Sequence, residues 1–314
     1  MNQPRAFALH PQHIPLGGVF PVLPTPFDAA GKPDAAGLAA LVRYLLRCGV
    51  DGVTYPGVAS EVAELQTDER LALTRLVLQE VAGRVPVIVG ASASSLDDTL
   101  RLVRELGNEG IGAWMVAAPA RVVPQEQAAF FQQLAAATGE VAIMLQNVPA
   151  PAGAGLAPEV LLQITRAVPQ VRYIKEETLP SGQRLTTVRA QAPASLQGVF
   201  GGAGGRYITD ELRRGAAGTM PAIELAEIHV ALFAAHRRGA ADAVRLLFTR
   251  MLPILNLQAV FRWSLTKYVL QRRGLIASRH QRAAGPQLDD LDIADVEAFL
   301  TDIRDLLLPD DSLA

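Results

Sequence analysis

The segment RYIKEET, residues 172–178, places a lysine at the end of an apolar run and two glutamates directly after it. The chain contains three lysines, Lys32, Lys175 and Lys267, because arginine carries nearly all of its positive charge. An amine can lose its proton and attack a carbonyl carbon, whereas a guanidinium group stays charged. Lys175 is therefore the first candidate for covalent chemistry. The alternative is that it occurs by chance in an arginine-rich chain.

The residues around Lys175 support a role in catalysis. If residues 171–176 form a strand, Tyr173, Lys175 and Glu177 point to one side of it and Glu176 points to the other. Burial in an apolar barrel favours the neutral, nucleophilic form of an amine. A carboxylate beside that amine could move protons on a substrate attached to it. The alternative without catalysis is a buried Lys175–Glu177 ion pair.

Short apolar runs alternate with longer segments of helical spacing from residue 17 onward. The predicted strands are 18–23, 51–55, 85–90, 113–118, 141–146, 171–176, 196–201 and 217–221. Several of these runs are continuously apolar, as expected of parallel strands that are covered on both faces. Eight strand–helix units over roughly 220 residues predict an α/β protein with a closed (β/α)8 TIM barrel.

Further helical patterns follow the eighth predicted strand, near 223–238, 240–251, 256–273 and 290–307. A barrel needs only one helix after its last strand, so the others should form a C-terminal helical appendage. We therefore expect an N-terminal extension at 1–16, the barrel at 17–238 and a C-terminal helical region at 239–314. Active sites of such barrels lie at the C-terminal ends of the strands.

From about Gly17 to Ser278 the chain resembles the dihydrodipicolinate synthase / N-acetylneuraminate lyase family of class I aldolases and lyases. The segments that carry the resemblance are GVFPVLPTPFDAAGKPD, GVASEVAELQTDER, VPVIVGAS, QNVPAPAG, YIKEE and FGGAG, in this order. GVASEVAELQTDER is similar to the family's G-x-x-G-E segment, with Ser60 at its second glycine. The resemblance implies that Lys175 forms the Schiff base with the C2 carbonyl of a 2-keto acid.

The chain departs from the synthases of this family at several site positions. Gln146, in LQNVP, stands where the family usually has a tyrosine that shuttles protons, and an amide has no useful pKa. The other departures are Ala120 and Arg121 for a tyrosine after strand four, Val58 and Ala59 for paired threonines, and Pro151 or Ala152 for the arginine that binds aspartate semialdehyde. We therefore do not expect dihydrodipicolinate synthase activity.

The departures resemble one branch of the family. A glutamine at the tyrosine position, together with K-x-E on strand six, is similar to the 2-keto-3-deoxy-L-arabonate dehydratases. The segment LPILNLQAVFRWSLTKYVLQRRGLIAS is also similar to that branch. A histidine expected after strand three is absent, since GASASS offers only Ala93 and nearby serines, so the sugar acid is not identified.

We predict a Schiff-base lyase that acts on a 2-keto acid, specifically a dehydratase of a 2-keto-3-deoxy sugar acid. Lys175 would condense with C2, Glu177 would transfer protons, and Gln146 would hold the departing hydroxyl or a water. The predicted substrate-binding residues are Ala59, Ser60, Gly202 and Met220, and the loop around Ala59 and Ser60 would hold the C1 carboxylate.

Two other functions remain open. One is a retro-aldolase that releases pyruvate from the same class of acids and shares the first covalent step. The other is a non-catalytic barrel that binds 2-keto acids, which the loss of the tyrosines would explain. The resemblance also implies a homo-oligomer, either a tetramer or a dimer.

The composition narrows the possible partners. A net charge of −2 gives no reason to expect binding to nucleic acid or to a membrane surface. The single cysteine excludes an intramolecular disulfide and favours a reducing compartment. No apolar run reaches the ~20 residues of a membrane span, and MNQPRAFALHPQH has no features of a signal peptide. We expect a cytoplasmic protein whose partner is a small molecule.

No metal or cofactor is expected. The five histidines show no ligand spacing. A Schiff base also supplies the electron sink that a metal would otherwise provide.

Overall fold

All eight predicted strands are present in the computed structural model, which describes residues 15–309. They are parallel and follow one another around a single sheet. Their bounds are β1 Gly18–Val19, β2 Val53–Thr54, β3 Val87–Gly90, β4 Ile111–Ala117, β5 Ala142–Asn147, β6 Val171–Glu176, β7 Gly198–Gly201 and β8 Gly218–Thr219. The predicted (β/α)8 barrel is confirmed.

The first segment of the chain closes the barrel. Val22 bridges Thr54 of β2 on one side and Ala222 beyond β8 on the other. The ladders of β1, β2 and β8 are shorter than predicted because Pro21, Pro56 and Pro221 follow them closely, and proline donates no backbone hydrogen bond. Single bridges therefore complete the barrel at this seam.

Apolar side chains fill the interior of the barrel. Phe200 packs edge-on against Phe20 at 5.6 Å between ring centroids and against Tyr173 at 6.0 Å. The same buried cluster includes Leu16, Val22, Ile88, Ala113, Met115, Ala142, Met144 and Met220. The barrel is thus a packed core that supports a site at its mouth.

Eight helices cover the outside of the sheet. They are α1 Ala35–Cys48, α2 Thr67–Val81, α3 Leu96–Leu106, α4 Gln127–Thr138, α5 Pro158–Ala167, α6 Ser181–Ala190, α7 Ile208–Arg213 and α8 Ala226–Arg237. Local signals fix the ends of α1: the Asp34 carboxylate accepts from the Gly37 N–H at 2.9 Å, and Gly49 ends the helix with a left-handed φ of 75°.

Three more helices form the C-terminal region: α9 Ala241–Phe261, α10 Trp263–Arg272 and α11 Asp290–Asp302. The predicted break between residues 251 and 256 is wrong, because α9 continues through Pro253 to Phe261. Met251, Ile254 and Leu255 are buried on both sides of the proline, so tertiary packing outweighs its helix-breaking tendency. The break lies at Arg262, which has a φ of 41°.

The C-terminal helices share an apolar cluster with the barrel helices α7 and α8. Helix α8 ends at Arg237, next to the predicted boundary between residues 238 and 239. The division of the chain into a barrel and a separate C-terminal region stays a prediction. Most of the predicted extension at 1–16 lies outside the described residues, as does the segment in which no signal peptide was found. Leu16 itself packs into the barrel interior, and its N–H donates to the Tyr173 hydroxyl at 2.9 Å.

Helix α9 is the one helix within residues 15–309 that is long and apolar enough to cross a membrane. The mean hydropathy of its most apolar 18-residue window is 1.3, and 17% of that window is buried. One such helix is weak evidence for a membrane span, since length and composition are its only support. Helix α9 packs against α8, α10 and α11, which makes it part of the folded C-terminal region.

Candidate active site

Strand β6 carries the lysine that the sequence singled out. In the register of the sheet, Lys175 lies between Gln146 on β5 and Phe200 on β7. Its side chain is 6% exposed and lies above the interior aromatic cluster. Glu176, the next residue, is directed to the helix layer, as the alternation of the strand predicts.

The three predicted catalytic side chains meet at one carboxylate. The Glu177 Oε2 atom lies 3.2 Å from Lys175 Nζ and accepts a hydrogen bond from Gln146 Nε2 at 2.7 Å. The other oxygen, Oε1, accepts from the Ala203 N–H at 2.9 Å. Glu177 is therefore held by one charge and two neutral donors, directly beside the amine.

The surroundings of Glu177 keep its carboxyl group ionised. Burial alone would raise its pKa, but the charge of Lys175, the Ala203 N–H and the Gln146 amide together lower the pKa below its ordinary value. An ionised carboxylate beside an amine can accept a proton. In this arrangement Glu177 has the charge state that a proton acceptor requires.

Because Gly202 has no side chain, the Glu177 side chain can pack directly against its backbone. A Cβ atom added at Gly202 would lie 2.5 Å from Glu177 Oε1, so a larger residue would displace the carboxylate. Met220, also predicted as substrate-binding, is 2% exposed and belongs to the interior cluster below the site. Both residues thus shape the site by packing.

Ser60 and Ala59 lie in a 3-10 turn, Val58–Ser60, which follows β2. The buried Ser60 hydroxyl accepts from the Gly57 N–H at 2.9 Å and donates to the Leu23 carbonyl. That hydroxyl is engaged within the loop, and its contact with a substrate stays a prediction. The N–H groups of Val58 and Ala59 begin the turn and have no partner inside it, so they are the donors available for a carboxylate.

Sequence reasoning missed a buried network behind the site. Asn147 Nδ2 donates to both Glu176 carboxylate oxygens at 3.0 Å, and the Thr178 N–H donates to Glu176 Oε1 at 2.8 Å. Arg184 Nε lies 3.4 Å from Glu176 Oε2. Asn147 and Glu176 are register partners on β5 and β6, so the network fixes the strand ends that carry Gln146 and Lys175. The alternation of the two strands was the available signal.

Lys267 is the second buried lysine, and it does not face the site. Its amine pairs with the Glu61 carboxylate, donates to the His280 carbonyl at 2.7 Å and lies 4.3 Å from the centroid of the Phe27 ring. Glu61 follows the Val58–Ser60 turn and also accepts from the Arg282 and Ala283 N–H groups. Lys267 therefore forms a buried ion pair behind the loop, and Glu61 was not predicted as its partner.

A cavity of about 450 Å³ lies beside the mouth, between the loops that follow β2 and β3. Arg70, Ser92 and Asp98 are among its lining residues, whereas Lys175, Glu177 and Gln146 are not. The cavity is therefore separate from the candidate active site. Among residues 15–309, no group of three or more His, Cys, Asp or Glu side chains is placed to hold a metal ion.

The amino-acid sequence of this chain is similar to those of known enzymes. The pattern of the Dihydrodipicolinate synthetase family matches residues 15–301. The chain is 31% identical to the L-2-keto-3-deoxyarabonate dehydratase of Azospirillum brasilense over 278 residues, which is 86% of this chain and 89% of the relative. It is 34% identical to the 4-hydroxy-tetrahydrodipicolinate synthase of Bacillus subtilis (strain 168), but over only 56% of this chain and 61% of that enzyme.

The fold agrees with a solved structure over nearly its whole length. The dihydrodipicolinate synthase of Rhodopseudomonas palustris superposes with a TM-score of 0.85, at 29% identity, over 95% of this chain and 100% of that one. The similarity extends through the C-terminal helices. Both a dehydratase and synthases are therefore among the proteins that this chain resembles.

Proposed function

This chain belongs to the Dihydrodipicolinate synthetase family, a family of lyases, and we propose that it is a Schiff-base lyase that dehydrates a 2-keto-3-deoxy sugar acid. The observation that carries the proposal is the contact of Lys175, Glu177 and Gln146, with an amide in place of a phenol. A carboxylate that can accept a proton stands next to the amine, and the third group can only donate or accept hydrogen bonds.

The proposed reaction begins when the Lys175 amine attacks C2 of the substrate and water leaves, which forms an imine. The imine draws electrons from C3, so the C3 proton can pass to Glu177 and an enamine results. The electrons of the enamine expel the C4 hydroxyl, and Glu177 returns its proton so that water departs. Gln146, whose amide contacts the same carboxylate oxygen, would orient the departing hydroxyl. Hydrolysis of the imine releases the dehydrated 2-keto acid.

The position of Glu177 favours dehydration over aldol cleavage. Its carboxylate is 3.2 Å from the atom that would bond to C2, which places it close to C3. Cleavage of the C3–C4 bond would need no proton removal at C3, so a carboxylate close to C3 is the feature that supports dehydration. A purely binding barrel would have little use for a buried, paired lysine, because a hydrophobic pair at such a place is often at least as stable.

The experiment that tests the proposal combines trapping with turnover. Borohydride reduction in the presence of pyruvate should add a stable mass to the peptide that contains Lys175, and a panel of 2-keto-3-deoxy sugar acids should be dehydrated without release of pyruvate. Pyruvate as the product would establish the aldolase instead. Label on Lys32 or Lys267, or no label, would refute the Schiff base.

We also propose that the protein acts as a homo-oligomer in the cytoplasm. Leu246, Leu252 and Val260 of α9 are 61%, 40% and 56% exposed, and such apolar side chains on one helix are suited to contact between subunits. Light scattering of the purified protein tests for a dimer or a tetramer, and a monomer would contradict the proposal.

A further inference from the structure

The junction between α9 and α10 lies over one side of the barrel mouth. Trp263 Nε1 donates to the Val58 carbonyl at 2.9 Å, in the loop that follows β2. Five residues earlier, Gln258 Oε1 accepts from Arg206 Nη1 at 2.8 Å, in the loop that follows β7. These two loops also carry Ala59, expected at the C1 carboxylate, and Ala203, which holds Glu177.

The guanidinium group of Arg206 and the amide of Gln258 pack against Gly204, where a side chain would leave them no room. Gly204 has a left-handed φ of 70°, and a Cβ atom added there would lie 2.7 Å from Gln258 Oε1 and 3.2 Å from Arg206 Nη1. Gly204 is the residue after Ala203, whose N–H binds Glu177. Arg206 therefore lies three residues after Ala203, on the loop whose backbone holds the Glu177 carboxylate.

The charge of Arg206 is not neutralised by a neighbour. Within residues 15–309 no carboxylate lies within ion-pair distance of its half-buried side chain. Glu224 is an acid whose pKa the charge of Arg206 lowers, but burial raises the pKa of Glu224 to about 7 despite that charge and despite hydrogen bonds from its own backbone and Thr266. Near neutral pH this counter-charge is only partly present.

We infer that Arg206, held in place by Gln258, binds a second carboxylate at the far end of the substrate, so that the preferred substrates are 2-keto-3-deoxy sugar diacids. The inference rests on the proposed function, because it assumes that C2 is attached to Lys175. One guanidinium N–H is used by Gln258, and the remaining donors form a planar fork that matches a carboxylate. A neutral polyol would leave the charge without a partner.

Imine trapping tests this inference without requiring turnover. The probes are 2-oxoadipate and 2-oxohexanoate, which have equal carbon chains and differ only in the second carboxylate. Borohydride reduction followed by intact-mass analysis gives the concentration of each probe that half-saturates Lys175. The concentration of 2-oxoadipate that half-saturates the wild-type protein should be about tenfold or more lower than that of 2-oxohexanoate, because only 2-oxoadipate offers a carboxylate to the guanidinium group.

Three variants identify the residue responsible. Arg206→Gln should lose the preference for 2-oxoadipate and leave 2-oxohexanoate unchanged, whereas Arg206→Lys should keep part of it because the charge remains. Arg245→Gln is the control: Arg245 is on α9, its side chain is 79% exposed, and it pairs with Asp242 at 2.8 Å. That variant should keep the full preference.

The outcomes separate this inference from the proposed function. Equal trapping of both probes by the wild type, or an unchanged preference in Arg206→Gln, overturns the inference alone while pyruvate is still trapped. The wild-type comparison decides even if Arg206→Gln fails to fold. Failure to trap pyruvate at Lys175 overturns the Schiff-base proposal and the inference with it.

Discussion

Replacement of Glu177 by glutamine separates proton transfer from imine formation. In the native site, Lys175 and Gln146 approach Oε2 and the Ala203 N–H approaches Oε1. A glutamine has one acceptor oxygen and one NH2 group, so it cannot accept from both sides. Whichever way the new amide is turned, at least one donor loses its acceptor, while the volume of the side chain is nearly unchanged.

Two effects of different size follow from this geometry. One buried donor without a partner costs about 1–3 kcal/mol of stability, which a folded enzyme at room temperature tolerates. Loss of the proton-transfer group lowers kcat by about 10²–10⁴-fold. Because only the second effect acts on turnover at saturating substrate, a fall of that size cannot be attributed to unfolding if the melting temperature shifts by only a few degrees.

The assay measures turnover of a 2-keto-3-deoxy sugar acid and, separately, borohydride trapping of pyruvate. We expect Glu177→Gln to be trapped at Lys175 while its kcat falls. Glu176→Gln is the matched control, because the same change one residue earlier faces Asn147 and Arg184; it should lower stability and retain most of kcat. Wild-type turnover in Glu177→Gln would refute Glu177 as the proton-transfer residue, and equal losses in both variants would indicate a structural cause.

Three further predictions test other parts of the structure. Gly202→Ala should lower kcat by at least about tenfold with little loss of fold, because its Cβ would meet Glu177 Oε1 at 2.5 Å; unchanged kinetics would show that the carboxylate can move without penalty. Lys267→Met should reduce the free energy of unfolding by about 3–5 kcal/mol, since it leaves Glu61 buried without a cation, and the double variant with Glu61→Gln should recover part of this in denaturant titrations; no recovery would contradict the pairing. Burial raises the pKa of Glu211 to about 7, so the folded protein binds more protons than the unfolded chain between about pH 4.5 and 7, and this contribution to stability is lost as the pH rises through that window. Glu211→Gln should therefore gain stability over the wild type at pH 8 relative to pH 5, by at most roughly 3 kcal/mol; parallel stability curves for the two proteins would refute the assignment.

The sequence predicted best those features that depend on the spacing of neighbouring residues. Short apolar runs between helical segments identified all eight strands, and alternation along β6 placed Lys175 and Glu177 on the same side. The position of Gln146 followed from the end of its own strand, and the register with β6 brings it beside Lys175. Each of these inferences needed only local spacing and the rule that strand ends meet at the mouth.

Features that depend on distant partners were predicted poorly. Pro253 suggested a helix break, but burial of its neighbours from other helices carries α9 past it to Phe261. The Ser60 hydroxyl bonds to the Leu23 carbonyl as well as to the Gly57 N–H, and the residues beside Ser60 did not indicate the distant Leu23 partner. Nothing near Glu61 in the sequence indicates that its cation is Lys267, because the pair forms only when the C-terminal helices dock.

The Lys267–Glu61 pair also links the barrel to the C-terminal helices. A chain that ended after α8 would keep every residue of the proposed chemistry, yet it would lose Lys267, the backbone donors of Arg282 and Ala283, and the Trp263 contact to Val58. The loop that should receive the substrate carboxylate would then carry a negative charge that has lost its cation and its two backbone donors. The C-terminal region contributes no predicted catalytic group, yet it neutralises the charge of Glu61 next to the loop that we expect to bind the substrate carboxylate.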